Sequence, residues 1–292
     1  MRHSGNPSVT KTPDSTAAPI PVHPHPMTIG LIGCGKMGSA LTLGAIKAGV
    51  FKAEDVLAYD PVPAAIDSMG DGIRAAASLE DAVSGSDVLL LCVKPYQIHD
   101  VLQRVAELNS NSGDLLAISI AAGVTIDAME KSCQKKARII RCMPNTPALV
   151  GQGAAAFALG SDASPEDASF AQNLLGSVGL AYEVTENLID SVTGVSGSGP
   201  AYVYTFIEAL ADGGLLEGLP RDQALALATQ TVLGAATMVA ESGEHPALLR
   251  DRVTSPGGTT IAALATLEEG AFRSTTIKAV RTAAEKAREL GQ

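Results

Sequence analysis

The sequence predicts an α/β domain built on a parallel sheet, followed by an all-α domain. Three observations predict it. From Met27 onward, short apolar runs alternate with helix-spaced segments, and alternating β and α elements call for a parallel sheet with helices on both faces. The first apolar run leads directly into Gly33-Cys34-Gly35-Lys36-Met37-Gly38 and then a helical pattern. After "GLAYEV", no strand pattern recurs, and residues 187–292 read as helices throughout.

Each element has its own reason. "MTIGLIG" is a short apolar run and reads as a buried strand. "KMGSALTLGAIKAGV" follows with helical spacing, then "DVLAYD" as a second strand. "AAIDSM" is a short helix, "GIRAAA" a third strand, "LEDAVSGS" a helix and "DVLLLCV" a strongly apolar strand. Pro95 opens "PYQIHDVLQRVAEL", as suits the first turn of a helix. "LLAISI", "IDAMEKSC" and "ARIIRCM" continue as strand, helix and strand. The pattern shifts near Pro144: "NTPALVGQGAAAFALG" reads as a turn and an extended closing strand. "SPEDASFAQNLLGSV" is a helix with Ser164 as cap and Pro165 in first position. The boundaries expected are a disordered leader at 1–26, a nucleotide-binding domain at 27–185 and a helical domain at 186–292. The leader holds six of the sixteen prolines and no apolar core of signal-peptide length.

Composition narrows the function. A chain of 292 residues has room for two domains and a sizeable core. With 31 acidic and 21 basic residues, a net charge of -10 and 3% aromatics, nucleic acid and anionic membrane are poor partners. No stretch reads as long and apolar enough to span a membrane. Cys34, Cys92, Cys133 and Cys142 form no CxxC pair and read as buried thiols, which fits a reducing cytoplasm. His99 and His245 are the only histidines beyond residue 25; each reads as a surface or loop residue, and no metal site is expected. Glu208 and Asp212, four apart on one helix, read as a solvated or subunit-facing stripe. Tyr202 and Tyr204 read as core or interface. The segment "ALALATQTVLGAATMVA" has few charges on any face. Such a helix must be covered on most sides, and a second subunit is the cover expected, giving an obligate dimer through this half.

The first glycine turn fits the dinucleotide fingerprint in its strand-turn-helix context, which makes the N-terminal domain Rossmann-type. Gly33 permits the tight turn, Gly35 lets a pyrophosphate approach the backbone and Gly38 lets helix and strand pack closely. The amides of Lys36 and Met37 open the helix and favour the anion. Asp60 ends the second strand, 22 residues after Gly38. It reads either as the acid that bonds the adenosine ribose, favouring NADH over NADPH, or as a turn former before Pro61. No arginine immediately follows Asp60, and Arg74 is a candidate to fold back towards it. Cys92, Val93, Lys94 and Pro95 end the fourth strand and border the cofactor crevice, with Lys94 on a phosphate or on backbone carbonyls. Asn145 and Thr146 reach the nicotinamide side, or their prolines form a plain rigid turn.

Two further small-residue turns lie in the helical half. "GVSGSG" precedes Pro200, and Ser255-Pro256-Gly257-Gly258-Thr259-Thr260 leads into another helix. Neither has the spacing of a nucleotide P-loop, and a small carboxylate suits free amides better than a triphosphate. The succession "GLIGCGKMGSA", "CVKP", "RCMPNTPALVGQG", "GVSGSGPAYVY", "ESGEHPALLRDRVTSPGGTTIAAL" and "GAFRSTTIKAV" resembles pyrroline-5-carboxylate reductase from residue 27 to about 290.

That resemblance implies a Rossmann domain plus a helical dimerisation domain, with dimers often assembling into decamers of five dimers. It implies hydride transfer from NADPH or NADH to the C=N carbon of 1-pyrroline-5-carboxylate, giving L-proline. The loop Ser255, Gly257, Gly258, Thr259 and Thr260 holds the substrate carboxylate, Val253 lines the pocket, and Thr260 faces the ring nitrogen as the catalytic residue. Some relatives carry asparagine where Leu79 stands, near the adenine ribose. A protonated imine needs no strong acid from the protein; holding donor and acceptor near ~3–3.5 Å supplies the catalysis. Two other readings compete: a β-hydroxyacid dehydrogenase-like enzyme, which uses a lysine that "GVSGSGPAYVYTFIEAL" lacks, and a non-catalytic NAD(P)-binding redox sensor, which has no need of "SPGGTT".

Overall fold

A computed structural model describes residues 27–109 and 115–291; the leader expected at 1–26 lies outside the described residues. These divide into two compact units: 27–203 with 273–291, and 204–272. The expected boundary at 185 marks where strands stop, whereas the compact units divide further along the chain and share the C-terminal helices.

The sheet unit carries eight strands: β1 Ile29–Ile32, β2 Val56–Tyr59, β3 Arg74–Ala75, β4 Val88–Leu91, β5 Leu115–Ser119, β6 Ala137–Met143, β7 Gly153–Leu159 and β8 Gly179–Glu183. Their order across the sheet is β3-β2-β1-β4-β5-β6-β7-β8. The first six are mutually parallel. β7 is the difference from an all-parallel sheet: it runs antiparallel to β6. The connection 144–152 is too short for the crossover that a parallel pair needs. β8 is parallel to β7 again, with a helix between them in sequence.

Helices α1 Lys36–Ala48, α2 Pro63–Asp67, α3 Leu79–Ser84, α4 Ile98–Leu108, α5 Ile126–Ser132, α6 Pro165–Gly176 and α7 Ile189–Val192 cover the sheet. α1 and α6 bury Leu41, Ala45, Phe170 and Leu174 against one face. α3, α4, α5 and α7 bury Val83, Leu102, Met129 and Ile189 against the other. β1, β4 and β5 are buried along their whole length, which is why they read as continuous apolar runs rather than alternating ones. Each fully buried leucine contributes about 2 kcal/mol. α1 ends on Gly49 in the left-handed region. α6 opens on the capping box of Ser164 and Asp167 with Pro165 in first position.

α8 Gly199–Leu216, α9 Arg221–Ser242, α10 Pro246–Arg252, α11 Thr259–Glu269 and α12 Phe272–Leu290 complete the chain. α12 belongs mostly to the sheet unit. A side chain on Gly194 would meet the Val280 carbonyl, and one on Gly123 would meet Leu290. The Tyr202 hydroxyl reaches the carbonyls of Gly194 and Ala279 at 3.4 and 3.5 Å.

Among the described residues, the helical unit has a core of only Ala211, Ala224 and Ala228 with Ile207 beside them. Phe206 and Phe272 add a ring contact at 5.9 Å. Of α9, only Ala224 and Ala228 are buried, while Leu227 and Leu233 are 57% and 58% exposed. The expectation that no stretch is long and apolar enough to cross a membrane is corrected here. α9, at 22 residues, meets that test of length and composition, because its charges sit at its two ends and Thr and Gln alone interrupt the rest.

Candidate active site

Strand order reverses at β1 and β4, and ligands of open α/β sheets bind beyond the carboxyl ends of the strands at that point. Six chain segments leave this edge, since β1 to β6 are all parallel. Those that concern the site are the glycine turn after β1, the Asp60 turn after β2, Cys92–Pro95 after β4, Ile120–Gly123 after β5 and Pro144–Asn145 after β6. The segment after β5 was missed by motif reading. The rule that selected Cys92–Pro95 selects it equally, but alanines and a glycine carry no chemistry of their own to draw attention.

The three glycines of the turn do three different things. Gly33 has φ +96°, and a Cβ there would stand 2.8 Å from the Cys92 carbonyl oxygen. A Cβ on Gly38 would run into the Gly33 carbonyl and come within 3.1 Å of the Cys92 Cβ. Nothing lies within 4 Å of a Cβ built on Gly35, so that position is open in the way a backbone-binding anion needs. Gly35 caps α1, and the first-turn amides of Lys36, Met37 and Gly38 have no helical acceptor. These residues fit the pyrophosphate of a dinucleotide. Lys36 is exposed and without a protein partner among the described residues. It stands at the helix end where a cation is disfavoured unless an anion joins it.

Behind the turn, Cys92 donates its amide to Ile32 at 2.8 Å. Its thiol, pushed up to about 12 by burial and then by Cys34, stays protonated. Burial, with the Asp60 carboxylate next, also lifts the Cys34 thiol to about 12. Both act by shape. Val93 is half-buried, and Lys94 is exposed, with its amide donating to the Gln97 side chain at 3.1 Å. Pro95 opens a 3-10 turn ahead of α4.

Asp60 accepts the Cys34 amide at 2.8 Å through Oδ2 and the Val62 amide at 2.9 Å through Oδ1. The turn-former reading holds, since the Val62 bond closes the turn over Pro61, and the Cys34 bond also sets the carboxylate against the glycine loop. Arg74 does not join it, since the register pairs Arg74 with Leu57, three residues earlier. Asn145 is 7% exposed; it donates to the Ser196 carbonyl at 3.0 Å and accepts the Ala154 amide at 2.8 Å. Its side chain is committed to clipping neighbouring segments together. Thr146 is exposed at the start of the following 3-10 turn.

The second loop lies in the helical unit. Val253, 65% exposed, ends α10. Gly257 has φ +66°, and a Cβ on Gly258 would collide with the Ser255 hydroxyl. The Gly258 amide already donates to the Ser255 carbonyl at 3.1 Å. The open amides at the start of α11 are therefore those of Thr259, Thr260 and Ile261. Thr229, Thr231, Thr237 and Thr266 return their hydroxyls to carbonyls four residues back. Thr260, second in α11, has no helical carbonyl behind it, and its half-buried hydroxyl has no protein partner among the described residues.

Residues 186–290 match the family described as pyrroline-5-carboxylate reductase dimerisation. Residues 28–123 match NADP oxidoreductase, coenzyme F420-dependent. The pyrroline-5-carboxylate reductase of Pisum sativum is 45% identical over 274 residues, covering 93% of this chain and 98% of the relative. The chain belongs to the pyrroline-5-carboxylate reductase family. Among solved structures, the Coxiella burnetii pyrroline-5-carboxylate reductase superposes with a TM-score of 0.86 at 34% identity, covering 92% of this chain and all of that one. The Plasmodium falciparum pyrroline carboxylate reductase, solved with NADP bound, gives 0.81 at 33% identity over 91% of this chain and 98% of its own. The fold expected from the sequence, a Rossmann-type domain followed by a helical one, is the family's fold.

Proposed function

We propose that this chain reduces 1-pyrroline-5-carboxylate to L-proline with a reduced nicotinamide dinucleotide, the last step of proline synthesis. The observation that carries the reading is the Thr260 hydroxyl, unpaired beside three open amides of α11 and set in a chain that also has the open Gly35 turn. Full-length similarity to named reductases supports the same reaction.

In this reading Gly33, Gly35, Lys36, Met37 and Gly38 receive the pyrophosphate, with Cys92, Val93, Lys94 and Pro95 bordering the crevice. Asn145 acts by holding the Ser196 turn in place. When bound, the dihydronicotinamide supplies the hydride; NADH and NADPH both carry it, and Asp60 favours NADH. The amides of Thr259, Thr260 and Ile261 bind the substrate carboxylate, favoured by the positive end of the helix. Gly257 and Gly258 shape that loop, Ser255 braces it, and Val253 offers an apolar wall to the ring. The Thr260 hydroxyl bonds the ring nitrogen and fixes the ring's orientation. Solvent protonates the imine, so no buried acid is required. A second copy of the chain covers the apolar faces of α8 to α11, giving a homodimer that assembles into a decamer of five dimers as the family implies. The compartment in this reading is the cytoplasm.

An assay with added 1-pyrroline-5-carboxylate tests the reaction. NADH oxidation that depends on the imino acid is the expected result; tight cofactor binding without turnover would instead make the chain a redox sensor. Thr260→Ala should lower kcat more than it weakens NADH binding. Unchanged steady-state kinetics in that variant would remove Thr260 from the mechanism.

A further inference from the structure

Of the two hydrogen bonds of the Asp60 carboxylate, one reaches into the glycine turn and the other closes the turn that follows β2. Oδ2 takes the Cys34 amide at 2.8 Å and Oδ1 the Val62 amide at 2.9 Å. The preceding turn amide, Gly33, donates to the Tyr59 carbonyl at 2.9 Å. Two successive residues at the end of β2 thus hold two successive amides of the turn. The amides left over for an anion begin at Gly35. Asp60 therefore decides which way the Cys34 peptide faces, and with it where the open Gly35 position points.

The same carboxylate has capacity to spare. An ionised carboxylate offers about four acceptor sites, and two are filled. The remaining two can accept hydroxyl donors, as the diol of an adenosine ribose provides. A 2′-phosphate has no such donor and brings about -1.5 to -2 charges of the same sign. The surroundings do not offset that. Arg74 pairs with Leu57, which puts it roughly 10 Å back along the strand at 3.3 Å per residue. The chain leaving β3 enters the first turn of α3 with Glu80 and Asp81, both acidic. Arg104 stands 3.8 Å from Glu80 but is held by Glu107 at 2.6 Å, and Asp81 holds the Ala77 amide at 2.9 Å. Lys36 opens α1 on the pyrophosphate side.

We propose that Asp60 is at once the latch that holds the glycine turn in its phosphate-binding form and the charge that excludes a 2′-phosphate. The chain then prefers NADH, and the preference cannot be removed at this position without loosening the cradle for either cofactor. The proposal rests on the reading of the turn as a dinucleotide site.

Calorimetric titration of the full-length chain with ADP-ribose and with 2′-phospho-ADP-ribose tests it without reference to turnover. The wild type should bind ADP-ribose at least about tenfold more tightly, as one misplaced like charge suffices for that ratio. Asp60→Glu keeps the charge but misplaces the latch. It should bind ADP-ribose about tenfold more weakly, the usual scale for a lost charge-assisted hydrogen bond, and still reject the 2′-phosphate. Asp60→Ser removes both and should bind the two ligands about equally, each more weakly than the wild type binds ADP-ribose. Two results overturn the proposal: a wild type that binds the 2′-phosphate as well or better, or an Asp60→Ser variant that binds either ligand as tightly as the wild type binds ADP-ribose. The wild-type comparison stands alone if a variant fails to fold. A wild type that binds neither ligand overturns the dinucleotide reading itself and the proposal with it.

Discussion

The Asn145 side chain donates to the Ser196 carbonyl oxygen at 3.0 Å, joining the end of β6 to a segment 51 residues later. Its own oxygen accepts the Ala154 amide at 2.8 Å, so one amide group serves as donor and acceptor at once. Only a side chain with both functions fits. Asn145→Asp keeps the acceptor and sets a carboxylate oxygen against the Ser196 carbonyl. That variant should lose about 2 kcal/mol and melt roughly 5 °C lower, no better than Asn145→Ala. A melting temperature equal to wild type in Asn145→Asp would show that the clip contributes nothing.

Gly35 and Gly38 separate packing from ligand binding. Space is open around a Cβ at Gly35, and its backbone is extended rather than left-handed, so Gly35→Ala should fold with an unchanged melting temperature. It should nevertheless bind ADP-ribose at least about tenfold more weakly, because the methyl stands where the pyrophosphate approaches. Gly38→Ala meets the Gly33 carbonyl, so α1 must move off the sheet at a cost of about 1–3 kcal/mol. Thermal melts beside binding titrations distinguish the two. Equal destabilisation of both variants would refute the division of roles.

These two sites also show what a sequence can reveal. The glycine turn was legible because strand, turn and helix are consecutive, so its three glycines fall at fixed spacing. Asp60 was legible as a turn former, which its bond from the Val62 amide makes it. Its hold on Cys34 and the clipping role of Asn145 were not, because Cys34, Ser196 and Ala154 lie 26, 51 and 9 residues from their partners. The antiparallel β7 was missed as such, since direction depends on the length of residues 144–152 rather than on the apolar pattern of the strand. The docking of α12 on the sheet unit has the same origin. Its inward stripe, Val280, Ala284 and Ala287 at helical spacing, marks an amphipathic helix. Which unit that stripe faces is decided by contacts distant in sequence, such as Val280 on Gly194 and Leu290 on Gly123. Ser255 to Thr260 stood out for a different reason: glycine, proline and hydroxyl residues interrupt a helical pattern that resumes at once.

Arg138 and Asp167 set an acid limit on the sheet unit. Arg138 donates to both carboxylate oxygens, at 2.7 and 3.0 Å, and the Ser164 amide adds a third bond at 2.9 Å. Burial by itself pushes the Asp167 carboxyl up, but Arg138 and Ser164 outweigh it and hold it below its ordinary value. A carboxyl whose pKa is lower folded than unfolded contributes fully above about pH 4. That contribution fades as pH falls through the folded value. Asp167→Asn should therefore be destabilised by about 3 kcal/mol at neutral pH, the lower end for a broken buried pair because Arg138 is partly exposed. Denaturant melts from pH 7 to pH 2 should show the gap to wild type closing in acid. A gap of constant size would mean that the ionised pair is not its source.

The helical unit makes the strongest demand for a partner. Its buried core is three alanines, yet Leu225, Leu227, Leu233, Met238 and Leu248 are all exposed. Leu227 and Leu233 lie on different sides of α9, so the missing cover must wrap the helix rather than touch one stripe. A monomer seldom exposes so much contiguous apolar surface, and an obligate homodimer interface resembles a core cut in two. The wild type should show the mass of a dimer, or a multiple of one, by light scattering throughout the micromolar range. Leu233→Asp places a charge in that interface. It should yield monomers or a chain that melts at least about 10 °C lower, because a buried unpaired charge costs several kcal/mol. A wild type that is monomeric at micromolar concentration, or a Leu233→Asp variant with wild-type mass and melting temperature, would place the apolar faces of α9 outside any subunit interface.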